Sequence, residues 1–114
     1  MDIDITDKNG NFTITDDTFK VTISGKNNKI KIKSSIHYLI ILSSNNQIFG
    51  TDQNCRVDIL NIDGNNNIIK LNSGCSNATI NDNGNNNRVS FDWGFHNNIR
   101  SNYDNMKLIL KQWR

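Results

Sequence analysis

Apolar residues in this chain come as pairs two positions apart, and the pairs recur in nine-residue steps. Ile3/Ile5, Phe12/Ile14, Val21/Ile23, Ile30/Ile32, Leu39/Ile41, Ile48/Gly50 and Val57/Ile59 keep that step. Ile69/Leu71 then arrives three residues late and is followed by Ala78/Ile80, Val89/Phe91, Ile99/Ser101 and Leu108/Leu110. A spacing of two puts both side chains on one face of an extended strand. The intervening residues are rich in Gly, Asn, Asp and Ser, which form turns and tolerate left-handed backbone. Twelve such units predict an all-β chain wound as a parallel β-helix, or β-solenoid, in which each coil lies on the one before.

A coarser repeat sets the coil length. Gly-Asn-Asn-Asn-x-hydrophobic-x-hydrophobic occurs at Gly64–Leu71 and Gly84–Phe91. The run GKNNKIKI at Gly25–Ile32 has the same form, and SSNNQIFG at Ser43–Gly50 keeps the asparagines but loses the closing hydrophobic. These starts lie 18, 21 and 20 residues apart, so one coil is read as two strand units and the chain as about six coils. A coil of three strands, about 27 residues long, is the rival that a nine-residue step alone admits. Asn28, Asn46, Asn67 and Asn87 then fall at one turn position in successive coils. An inward amide there can donate to and accept from its neighbour while tying off turn backbone groups. Asn54, Asn77 and Asn97 form a weaker second column on the opposite side.

At 114 residues the chain has length for one domain, 1–114. Residues 1–24 read as an N-terminal coil and cap, 25–101 as regular coils and 102–114 as a C-terminal cap or tail. Asparagine and isoleucine are abundant and proline is absent. Such a bias can accompany disorder, but the apolar pairs are regular and β-branched, as strand cores require. Thirteen basic against eleven acidic residues gives no bulk charge that argues for nucleic acid. The acidic, alternating start is unlike a signal peptide, and no run approaches a membrane span, so the expected location is intracellular, cytoplasmic or cytoskeletal. Cys55 and Cys75, one coil apart, read as near neighbours and as reduced thiols.

Several positions depart from the repeat. With Leu39 and Ile41 inward, Tyr38, Ile40 and Leu42 point out. Leu60 is placed on the same outward face one coil on, and Ile62 can follow it. An apolar patch on a sheet face needs a cover or a partner; the C-terminal tail is one candidate cover and another protein the other. The late arrival of Ile69 places a wider coil at Leu60–Asp63. Lys29, Lys31 and Lys33 share one parity and form an outward basic row. Trp93 and Phe95 interrupt a turn, as corner plugs or surface anchors. The tail, NYDNMKLILKQWR, fits a last strand or a short helical stripe, with Trp113 as its anchor residue. Asp2, Asp4 and Asp7 charge the first coil and discourage end-to-end growth.

The chemistry of catalysis is not suggested. His37 and His96 sit in no nucleophile motif and are far apart in register, so no metal site is implied. No phosphate-binding loop is present. The calcium-binding roll of GGxGxDxUx repeats also steps by nine, but asparagine stands here mostly where that pattern needs aspartate, and neutral amides hold calcium weakly.

The strings VTISGKNNKIKI (Val21–Ile32), VDILNIDGNNNIIKL (Val57–Leu71) and ATINDNGNNNRVSF (Ala78–Phe91) resemble a family of small β-solenoid domains of unknown function, built on V-x-I-x-G-x-x-N-x-V-x-V repeats. The resemblance implies a parallel β-helix and no catalytic residue. The expectation is a non-enzymatic structural or interaction protein, a rigid scaffold subunit of a larger assembly that contacts other proteins and uses no cofactor. The alternative is a β-helix that binds polysaccharide or another polymer, with a minimal carbohydrate-active enzyme as one form of it.

Overall fold

The computed structural model describes residues 2–92. Ten short strands alternate between two parallel sheets. The first sheet contains β1 (Asp2–Ile5), β3 (Thr18–Ile23), β5 (Ser35–Ile41), β7 (Arg56–Ile62) and β9 (Thr79–Asp82), in that order. The second contains β2 (Asn11–Ile14), β4 (Lys29–Ile32), β6 (Gln47–Gly50), β8 (Ile68–Asn72) and β10 (Arg88–Asp92). Register steps are the same in both sheets. Ile3, Val21, Leu39, Leu60 and Ile80 are successive partners in the first, and Phe12, Ile30, Ile48, Ile69 and Val89 in the second. The fold is a parallel β-solenoid with two strands per turn.

The number of coils is smaller than expected. Five strand layers between β1 and β9 enclose about four turns, where the twelve apolar pairs gave about six coils. The last two pairs, Ile99/Ser101 and Leu108/Leu110, lie outside the described residues, as do the tail at 102–114, Trp93, Phe95 and Trp113.

Between the sheets runs one apolar stack. Val21, Ile23, Ile30, Ile32, Leu39, Ile41, Ile48, Leu60, Ile62, Ile69 and Leu71 are fully buried. Each bears on its equivalent a turn above or below, at the strand spacing of about 4.8 Å. The structure corrects the inward pair of β7. Ile59 is only half-buried, while Leu60 and Ile62 are both fully enclosed. Leu60 is therefore core and not part of an outward patch. Its neighbour Leu39 decides this, because Leu60 pairs with Leu39 and Ile62 with Ile41. Likewise Ile80, not Ala78, lies over Leu60. The wide coil consequently lies at the preceding corner, residues 51–55, rather than at Leu60–Asp63.

That corner repairs the stack. Gly50 sits where Leu71 stands in the next turn, and a β-carbon at Gly50 would meet the Cys55 sulfur at 2.5 Å and Leu71 at 3.0 Å. The extra residues swing the Cys55 thiol inward to occupy the space that the missing side chain leaves.

The other corner carries the asparagines, and its two consecutive asparagines do different work. Asn9, Asn27, Asn45, Asn66 and Asn86 all adopt left-handed backbone, φ 60–63°, which asparagine accepts more readily than most residues. The residue after each is a ladder position. Gly10 N–H donates to Asn28 Oδ1 (2.8 Å), Asn28 to Asn46 (3.0 Å), Asn46 to Asn67 (2.9 Å) and Asn67 to Asn87 (2.9 Å). The amide nitrogens turn the other way: Asn28 Nδ2 donates to Asp7 O, Asn67 to Ser43 O and Asn87 to Gly64 O. Asn28, Asn46 and Asn67 are completely buried, and the ladder satisfies turn N–H groups that water cannot reach. Gly25, Gly64 and Gly84 open these turns because a β-carbon there would collide with the carbonyl oxygen of Asp7, Ser43 or Gly64. Ser43 takes the glycine's place once, donating its hydroxyl to Gly25 O. Asn54 and Asn77 are exposed and form no comparable column; Asn97 lies outside the described residues.

Two variants test this account. Ile69→Asp buries an unpaired charge at a site of 0% exposure and should unfold the chain, costing more than about 4 kcal/mol; a cooperative melt near that of the parent would refute the register. Asn67→Ala strands the Asn46 N–H and Ser43 carbonyl, and urea titration should show a loss of about 2–4 kcal/mol.

Candidate interaction face

The strands of the first sheet bend, and the bend creates the site. Inward residues there follow an i, i+3, i+5 pattern: Thr18/Val21/Ile23, Ile36/Leu39/Ile41 and Val57/Leu60/Ile62. Two consecutive residues between the first and second members must therefore face outward in each turn. They are Phe19–Lys20, His37–Tyr38 and Asp58–Ile59, with Lys20, Tyr38 and Ile59 paired in register.

Their side chains meet. Phe19 stacks on His37 with ring centroids 5.3 Å apart, and Tyr38 stands edge-on to Phe19 at 5.4 Å and to His37 at 4.5 Å. His37 Nδ1 donates to Asp58 Oδ2 at 2.9 Å. Phe19 is 55% exposed, a large solvated area for a phenylalanine. Beside it is a shallow depression of about 310 Å³ lined by Asp17, Thr18, Phe19, Ser35, Ile36, His37, Arg56 and Asp58. Its wall is fixed by the backbone, where Ser35 N–H donates to Asp17 Oδ1 at 3.0 Å and Arg56 N–H to Ser34 O at 3.1 Å.

The face extends beyond the rings. Tyr38 and Ile40 are half-buried and Leu42 is 48% exposed, so these three share the outward side of β5 and the turn that follows it. Asn61 and Asn81 continue the Ile40 column and join through Asn81 Nδ2 to Asn61 Oδ1 at 2.8 Å. The apolar patch thus ends at β7 on that side. Its members are Phe19, His37, Tyr38, Ile40, Leu42 and Ile59.

The basic row lies on the opposite sheet. Lys29 and Lys31 project from β4, with Lys33 exposed just beyond it. Phe49 lies between Lys31 and Lys70 in one column, and Arg88 shares the column of Lys29, Gln47 and Ile68. Lys70 and Arg88 belong to this face although the sequence reading did not group them with it, because only the coil register brings them alongside. Phe19, His37, Arg56 and Asp58 were missed for a related reason. Thr18, a polar residue facing inward at 5% exposure, hides the phase of the strand. The informative signal was that each of these first-sheet strands carries an inward residue three positions before its apolar pair.

Among the described residues, no three His, Cys, Asp or Glu side chains converge as a metal site, and no helix is long and apolar enough to cross a membrane. In comparison with known proteins, no family model matches the chain, and no curated protein or solved structure proves similar to it. The resemblance to V-x-I-x-G-x-x-N-x-V-x-V repeats accordingly holds at the level of the parallel β-solenoid.

Both members of the His37–Asp58 pair are well solvated, with side-chain exposures of 42% and 51%, so water screens their attraction. Asp58→Ala should change the unfolding free energy by less than about 1 kcal/mol, measured by denaturant titration; a larger loss would show that Asp58 holds the bend itself.

Proposed function

We propose that this chain is a non-enzymatic interaction module, a rigid scaffold part of a larger protein assembly, and that it docks a polypeptide partner on the outward face of its first sheet. The observation that carries the reading is the exposed cluster of Phe19, His37 and Tyr38, continued by Ile40 and Leu42. Aromatic residues projecting from a fixed backbone lose little conformational freedom on binding and dominate contact energies at interfaces. Asp17, Lys20, Arg56 and Asp58 surround the rings with charge, the arrangement of an apolar centre and a polar rim. The solenoid beneath supplies rigidity, because Tyr38 and Ile40 pair in register with the turns on either side and hold the face between them.

A second reading has its own support. An exposed ring beside Asp17, Arg56 and Asp58 in a shallow depression also suits a sugar, whose apolar face stacks on aromatics while its hydroxyls take polar partners. The two separate experimentally. Full-length protein, Phe19→Ala and Tyr38→Ser forms are used to capture partners from native lysate and, in parallel, to probe immobilised glycans. A protein retained by the parent and reduced at least ten-fold by either variant, about 1.4 kcal/mol or more, supports docking. Glycan binding with the same sensitivity selects the sugar reading. Partners retained equally by all three forms remove this face from both.

A further inference from the structure

We infer that Cys55 and Cys75 form a peroxide-responsive dithiol, a modification site at which oxidation joins two adjacent turns of the solenoid by a disulfide. This inference is independent of the docking face.

The geometry brings the sulfurs together. Partners in β7 and β9 are offset by 20 residues, as in Ile59 with Thr79, and Cys55 and Cys75 keep that offset just ahead of the same two strands. Adjacent turns stack at about 4.8 Å, a spacing within the Cα range that a disulfide spans. Both thiols are free and turn into the core, at 4% and 2% exposure. Asn72 fixes both. Its Nδ2 donates to the carbonyl of Cys55 at 2.7 Å, and its Oδ1 accepts from Gly74 N–H at 2.7 Å, capping the 3-10 helix Ser73–Cys75. The Cys75 thiol lies 3.6 Å from the Cys55 carbonyl oxygen.

The two sulfurs are not equivalent. A hydrogen bond from the Cys55 thiol draws Cys75 down to about 7, helped by the Val57 backbone and Arg56 and opposed by burial. The same contact, with burial, pushes Cys55 far up. With Cys75 as the attacking thiolate, Cys55 is the resolving thiol, and the reverse order gives the same disulfide. The Cys75 thiolate attacks one oxygen of hydrogen peroxide, the O–O bond breaks and hydroxide leaves, giving a sulfenic acid. The Cys55 sulfur then attacks Cys75 Sγ. The S–O bond breaks, the Cys55 proton goes with the departing hydroxide, and water forms. Two electrons from the dithiol have reduced one peroxide, and an added small thiol reverses the link by exchange. Burial favours a small oxidant over a bulky disulfide, and Cys75 lies in the chain between the exposed Gly74 and Ser76.

The test uses the full chain treated with hydrogen peroxide, blocked with an alkylating agent and digested without reduction. Trypsin cleaves after Arg56 and Lys70, which places the two cysteines on separate peptides. The expected product is those peptides joined and lighter by two hydrogens, formed faster as pH is raised because the thiolate is the attacking species. Cys75→Ser and Cys55→Ser should each abolish the linked peptide, and the single thiol left should halt at the sulfenic acid or beyond. The unsubstituted protein decides the matter even if these core variants fold poorly. Two thiols that survive peroxide in the folded chain, or a sulfinic acid on Cys75 with no linked peptide, would overturn the inference.

Discussion

The structure depends on one constraint: each turn must place its polar backbone where the next turn can receive it. At the asparagine corner the chain reverses between two sheets, and the N–H groups inside that reversal are shut away from water. The column Gly10, Asn28, Asn46, Asn67 and Asn87 answers each of them with a carboxamide oxygen from the following turn. A buried donor without a partner costs about 1–3 kcal/mol, so the amides hold the coils in a single register. Sliding a turn by one residue would break the ladder and also turn Ile and Leu out of the stack. The polar column and the apolar stack therefore enforce the same alignment from opposite sides of the coil.

Much of this was legible in the order of residues. Pairs such as Ile30/Ile32 and Leu39/Ile41, nine apart, express a half-turn directly, and the doubled asparagines mark every second corner. What could not be read was the phase wherever both phases are apolar. In Val57-Asp-Ile-Leu-Asn-Ile62, the pairs Val57/Ile59 and Leu60/Ile62 are equally good by spacing. Only Leu39 and Ile41, a turn away, choose between them. The aromatic cluster was hidden in the same way. Phe19 and His37 become neighbours through a register that Thr18 disguises, and the space left by Gly50 is filled by a thiol from around the corner. Local period is a property of the strand, whereas phase belongs to the stack.

The outward faces are freer because the stack does not constrain them, and the two have diverged in chemistry. One side of the solenoid gathers Phe19, His37 and Tyr38 with Asp58; the other carries Lys29, Lys31, Lys70 and Arg88 around Phe49. Because the sheets lie back to back across a thin core, these surfaces point away from one another, and a body engaging one leaves the other open.

The ladder also has a direction. Every backbone N–H in it points toward the later turn, and the first rung is Gly10, which has no side-chain oxygen to offer. The Phe12 ring fills the space a β-carbon would take there, at 2.6 Å. A turn set beneath β1 and β2 would find no carboxamide oxygen at this rung. Within the chain each later turn supplies the earlier one with an amide oxygen; below Gly10 that sequence of bonds has no continuation. A fold whose strands and repeats are those of a fibre thus begins its most repetitive feature on the one residue that cannot extend it downward.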